Sequence, residues 1–256
     1  MTEPKPPVTA PAHDASAPVT TSPVAGANQL VVVVSNGWDE SAVELRRFSR
    51  AGGGWSSDGE AIRADIGHAG LGWGIGLHGA GAPGSAAGPV KKEGDGRSPA
   101  GAFALGAAFG YDKSAPDGVR LPYTALDRSW RCVDDVSSRY YNDVIPESAA
   151  DSVDWQSAET MRRNDELYRW VVLVDHNHIR AKGETRPSPP KSGAGSCIFF
   201  HVWRKPGGAT VGCAAMDRGE LESLMVWLDP AQKPATVMLP REAYASLKDS
   251  WQLPSL

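Results

Sequence analysis

Ile198-Phe199-Phe200-His201-Val202, followed twelve residues beyond its histidine by the end of Thr210-Val211-Gly212-Cys213, is the stretch from which the rest of the chain is read. β-Branched and aromatic residues dominate positions 197–202, the composition of a strand. A period of two puts Cys197, Phe199 and His201 on one face and Ile198, Phe200 and Val202 on the other. Arg204-Lys205-Pro206-Gly207-Gly208 is a strong loop signal, so the chain is expected to reverse and return Thr210–Cys213 to the side of the strand it has left. A thiol becomes a useful nucleophile only when a neighbouring group takes its proton, which makes Cys213 the candidate nucleophile and His201 its candidate base. Gly212 allows an unusual backbone angle just before the thiol, so main-chain N–H groups at Gly212 and Cys213 can converge on an acyl oxygen. The plainer reading of Cys213 is a small buried hydrophobe.

Outward from this motif the chain reads as short strands. Leu30–Val34 is a buried strand, Ala42–Phe48 a broken one, and Gly101–Leu105 and Thr236–Leu239 are further candidates, the last closed by Pro240. Trp170-Val171-Val172-Leu173-Val174 lacks alternation, which argues for burial on both faces. Glycine-rich stretches at 51–54, 69–88 and 94–101 punctuate the first half. A helix is expected from Asp217 to Leu228, with Asp217 as its cap, Glu220 completing a capping-box pattern, a stripe of Leu221, Leu224, Met225 and Leu228, and Asp229-Pro230 as its stop. A shorter helix is expected between Ser157 and Leu167. The fold class is therefore mainly β with a few short helices, a β-rich α+β arrangement.

At 256 residues the chain fits one domain with a tail. Hydrophobic residues at 41%, charged residues at 22% and a net charge of -4 suit a globular protein and give no basic footprint for nucleic acid. Residues 1–28, rich in Pro, Ala, Thr and Ser, are expected to be a flexible tether, because they hold too little apolar surface to offset the entropy of ordering. Residues 29–242 form the expected domain and 243–256 a C-terminal extension. Met1-Thr2-Glu3-Pro4 does not open an export signal, and the apolar run Leu30–Val34 is far too short to span a bilayer. Of the three cysteines, Cys132 and Cys197 are open to two readings, a disulfide that leaves Cys213 free or two buried thiols.

The histidine on a strand and the Ser/Thr-x-Gly-Cys pattern of Thr210–Cys213 resemble the signature of the L,D-transpeptidase (YkuD-type) catalytic domain family. Gly72-Trp73-Gly74-Ile75-Gly76-Leu77-His78, the run Lys91–Gly101, Cys132-Val133-Asp134-Asp135 with Tyr140-Tyr141-Asn142, and Gly193-Ala194-Gly195-Ser196 are similar to segments of one branch of that family, so the resemblance spans roughly 29–240. It implies mixed sheets packed around one core and cysteine-dependent acyl transfer on peptidoglycan stem peptides. The acceptor would be an amine, giving L,D-transpeptidation, or water, giving L,D-carboxypeptidation. It further implies a monomer that needs no cofactor or metal and works in the periplasm or cell envelope, and an imidazole oriented by a main-chain carbonyl, here that of Val202. Thr210, His78, Arg204 and Arg97 are the substrate-binding candidates that go with it. One departure is plain: better-known branches carry an arginine two residues after the cysteine, where Ala215 stands here, so Arg204, Lys205 or Arg97 would have to supply a cation for a peptide carboxylate.

Two rival functions follow from other features. Asp175-His176-Asn177-His178 places two histidines at i and i+2, which with Asp175, His78 or His201 would suit a zinc-dependent peptidase. The loss of the arginine at Ala215 suits a catalytically silent wall-binding domain. Glu93–Pro99 reads as a turn framing the groove, with Asp95 holding the loop, and Asp134 and Asp135 read as loop caps.

Overall fold

Eight strands pair in a ring, and the apolar runs found in the sequence supply most of them. The computed structural model describes residues 22–256. In chain order the ring strands are β1 (Gln29–Ser35), β2 (Ala42–Ala51), β3 (Ile62–Asp65), β4 (Ser98–Gly110), β5 (Trp170–Val174), β6 (Phe199–Val202), β7 (Ala214–Met216) and β8 (Ala235–Pro240). They lie in the order β1-β8-β4-β5-β6-β7-β3-β2, and β2 pairs back onto β1. The β1–β8 and β6–β7 pairs are parallel and the rest antiparallel, so the sheet is mixed and barrel-like. Closure removes the unpaired edges that an open sheet would present.

The expected single core is divided by the barrel wall. Val172, Val174, Phe200 and Val202 face a large cluster that also holds Leu30, Phe103, Val237 and Leu221. Val171, Leu173 and Phe199 face a second cluster with Phe109, Trp130, Met161, Tyr168 and Cys213. Because β5 and β6 are covered on both sides, their sequences show no polar alternation. The second cluster is capped by a small sheet of Trp130–Cys132, Asp143–Pro146, Glu159–Thr160 and Arg180–Ala181.

Helix α1 (Arg218–Trp227) is the one expected from the 217–228 pattern. The Asp217 carboxylate accepts from the Gly219 N–H at 2.8 Å, and Leu221, Leu224 and Met225 are buried. The helix expected between Ser157 and Leu167 is absent. Glu159 and Thr160 instead form a strand opposite Cys132 and Arg131, and Asp165 accepts from the Leu167 N–H at 3.1 Å, a local bond that competes with helical pairing. The expected break in the 42–48 strand is also absent, since β2 continues to Ala51.

Both chain ends described are part of the domain. Within the segment expected to be a tether, residues 1–21 lie outside the described residues, but Val24 and Ala27 are buried and the Ser22 hydroxyl donates to the Trp251 carbonyl. The 243–256 segment begins inside helix α2 (Arg241–Leu247) and contributes Tyr244, Trp251 and Leu253 to the large core, so it completes the domain rather than extending it. Among the described residues no helix is long and apolar enough to cross a membrane.

Candidate active site

Parallel pairing of β6 with β7 sets His201 opposite Ala215 and Phe200 opposite Ala214. Alternation then places Phe199, His201, Cys213 and Ala215 on one face, with His201 and Cys213 as diagonal neighbours. Both line a cavity of about 160 Å³ together with Glu159, Tyr168, Arg204 and Thr210. The His201 Nδ1 lies 2.9 Å from the Val202 carbonyl. A carbonyl only accepts, so Nδ1 carries the hydrogen and Nε2 keeps the lone pair a base needs. Tyr168 stands edge-on to the ring with centroids 5.3 Å apart.

The sulfur does not hydrogen-bond the imidazole. Cys213 Sγ donates to the Cys197 carbonyl at 3.2 Å. Burial pushes the Cys213 thiol well above its ordinary value, with the Glu159 charge adding to it, while burial pushes His201 down to about 4. Both shifts favour the neutral forms, so the resting site holds a thiol and a neutral imidazole rather than an ion pair. Alkylation of Cys213 by iodoacetamide should therefore rise about tenfold per pH unit between roughly pH 7 and 9, following the thiolate fraction. A rate that is flat from roughly pH 5 to 8 would mean a preformed thiolate–imidazolium pair and would contradict this account.

The nucleophile turn is clamped from both sides. Thr210 Oγ1 accepts from the Gly212 N–H at 3.1 Å and donates to the Cys213 carbonyl at 2.6 Å. Ser98 Oγ, at the start of β4, donates to the Gly212 carbonyl at 2.6 Å and accepts from the Gly67 N–H at 2.9 Å. Thr210 thus holds the turn together. Gly212 is nearly extended, and what it provides is space, since a Cβ there would come within 3.2 Å of the Arg97 carbonyl. The Gly212 N–H, one of the expected pair of main-chain donors, already has Thr210 as its acceptor, which sets it apart from the Cys213 N–H.

Cys213 also lines a second cavity of about 250 Å³ with His68, Lys91, Glu93, Asp134, Glu159 and Ser196. Val211, 72% exposed, borders both cavities. The disulfide between Cys132 and Cys197 is present and Cys213 is free, which decides between the two readings of the cysteines. It ties the small sheet to the residue whose carbonyl holds the thiol.

Of the cationic candidates only Arg204 reaches the first cavity, with its guanidinium 4.0 Å from Asp165. Arg97 is corrected. Its guanidinium binds the Asp39 carboxylate at 2.7 Å and the Leu71 and Trp38 carbonyls at 2.9 and 3.2 Å, so its charge is used in holding a loop. His78 is also displaced from its expected role. It packs against Phe103 and Trp251 beside Gly101 and borders neither cavity at Cys213. In the zinc-peptidase reading, His176 has Nε2 at 3.0 Å from the Ala194 carbonyl and Nδ1 accepting from the Ile75 N–H at 3.3 Å, so neither nitrogen is left for a metal. No group of three metal-ligating side chains gathers among the described residues. Asp95 does hold its loop, accepting from Lys91 Nζ at 2.6 Å and from the Lys92 and Arg97 N–H groups, and Asp135 caps with the Ser137 and Gln156 N–H groups.

Two side chains of the site were not anticipated: Glu159 borders both cavities, and Tyr168 donates to its carboxylate. Glu93, read as part of the turn framing the groove, lines the second cavity and accepts from Tyr141 at 2.5 Å and Ser196 at 2.8 Å. Burial pushes the Glu159 carboxyl up to about 7. The Glu159 signal was masked by the helix assigned to its segment. No family model, curated protein or solved structure matches the chain.

Proposed function

We propose that the protein is a cysteine acyltransferase acting on peptidoglycan stem peptides, of the L,D-transpeptidase (YkuD-type) kind. The observation that carries this is a free thiol and an imidazole with an open Nε2 on one face of a parallel strand pair, where two cavities meet at the sulfur. The ordered motifs from Gly72 to Cys213 support the choice of family, and a mainly β fold is compatible with it.

In this reading the donor peptide enters the first cavity and its terminal carboxylate meets Arg204, which stands in for the arginine missing at Ala215. The S–H leaves the Cys197 carbonyl and turns to His201 Nε2, which takes its proton as the sulfur attacks the carbonyl carbon on the L-centre. Charge on the oxygen is met by the Cys213 N–H. The C–N bond breaks and the imidazolium protonates the leaving D-amino acid, so no acidic third partner is needed beyond the Val202 carbonyl that fixes the ring. A second nucleophile, amine or water, then resolves the thioester. The Cys132–Cys197 disulfide supports action in an oxidising compartment such as the periplasm.

Intact-mass analysis after incubation with a stem tetrapeptide or a carbapenem is the test. A single covalent adduct mapped to Cys213 is expected. An unmodified protein under both conditions would favour the silent wall-binding reading and remove this one.

A further inference from the structure

We infer that Glu159 is the base for the second half of the reaction, taking the proton from the nucleophile that resolves the Cys213 acyl intermediate; this rests on the acyl-transfer reading above. The cavities divide the labour. His201 borders the first but not the second, whereas Glu159 and Cys213 border both. A nucleophile that reaches the thioester through the second cavity, while the first is filled by the donor, meets Glu159 beside the sulfur and does not meet the imidazole.

Of the other titratable groups of that cavity, Asp134 has Oδ1 buried and unpartnered among the described residues but does not border the first cavity, and Glu93, Lys91 and His68 are engaged. Glu93 accepts from Tyr141 and Ser196. Lys91 Nζ donates to Asp95 at 2.6 Å and to the Lys92 carbonyl at 2.7 Å, and His68 Nδ1 is 3.2 Å from the Thr210 carbonyl. Glu159 has one partner, the Tyr168 hydroxyl on Oε2, which leaves Oε1 unpartnered among the described residues. Its position is fixed by the backbone. Glu159 pairs with Cys132, Cys132 is bonded to Cys197, and the Cys197 carbonyl holds the Cys213 thiol.

The charges facing Glu159 are those of Asp134 and Glu93, with Arg163 opposing them; the neutral Cys213 thiol also faces it, and the Tyr168 hydroxyl donates to it. Burial, reinforced by Asp134 and Glu93, keeps the carboxyl near neutrality, where one group both accepts and returns a proton efficiently. In the step itself the lone pair of the acceptor nitrogen or oxygen bonds to the acyl carbon, and the acceptor's proton passes to the Glu159 carboxylate. The C–S bond then breaks with its electrons on sulfur. Glu159 gives the proton to the thiolate, which restores both thiol and carboxylate.

Glu159→Gln tests this because glutamine still accepts from Tyr168 but cannot take a proton. With a stem tetrapeptide and an acceptor amine, rapid-quench mass analysis should show Cys213 acylated within about threefold of the wild-type rate and resolved about 100-fold more slowly, so the thioester accumulates. Wild-type resolution should rise with pH through about 7, and the variant should lose that rise. Tyr168→Phe, which frees the carboxyl without removing it, should slow the same step by about tenfold and keep the pH dependence. If the variant resolves its thioester at the wild-type rate, or if acylation and resolution fall together with the pH profile intact, the inference is overturned. A wild-type protein that is never acylated at Cys213 would instead overturn the acyl-transfer reading beneath it.

Discussion

Cys213→Ala should show no measurable release of the terminal D-residue from a stem tetrapeptide, and His201→Ala should lose about 100- to 10,000-fold in kcat/KM. The two losses differ in kind. Without the sulfur no thioester forms, and both half-reactions end together. Without the imidazole the thiol remains, but burial holds it protonated, so attack must wait for the rare thiolate. Cys213→Ala removes one hydrogen bond to the Cys197 carbonyl and a small buried side chain, a cost of about 1 kcal/mol that leaves the fold intact. Thermal unfolding of each variant beside its kinetics separates lost chemistry from lost structure. Residual turnover by folded Cys213→Ala would end the proposal of a cysteine nucleophile.

The second large effect concerns the Cys132–Cys197 bond. The double variant Cys132→Ala/Cys197→Ala should be destabilised by about 4 kcal/mol, the chain-entropy figure for a loop closed over a separation of 65 residues. For a domain of this size that corresponds to a fall in Tm of roughly 8–16 °C. Turnover should fall as well, because the bond positions the Cys197 carbonyl that holds the thiol and the strand that presents Glu159. Cys197 has a φ of 57°, a backbone region that non-glycine residues seldom occupy, and release of the tether would let it relax. Calorimetry and turnover with and without a phosphine reductant provide the check, and unchanged values in both would contradict the role assigned to the bond.

Legibility in the sequence followed the range of the interactions involved. The 170–174 and 198–202 strands were readable because each is covered on both sides, which leaves an uninterrupted apolar run. Pairing of His201 with Cys213 was readable because a short loop rich in Pro and Gly joins the two strands that carry them. Closure of the barrel was not, since β1 pairs with β8 some 200 residues later and nothing local marks the match. Nor was the Ser98 clamp, which reaches the Gly212 carbonyl across a separation of 114 residues. Glu159 was misread for a related reason. The residues after Ser157 have ordinary helical composition, and pairing with Cys132 overrides it. Arg97 was misjudged because its partner Asp39 lies 58 residues earlier.

Val211 projects into solvent as part of the partition between two chambers that share a sulfur. Its bulk is therefore a gauge of how independent the chambers are. Trimmed to alanine, they would merge at the rim and admit a bulkier bridging molecule, and widened to an aromatic, each would be screened from the other. A synthetic inhibitor that straddles this partition would block entry of both peptides at once while reacting with a single atom.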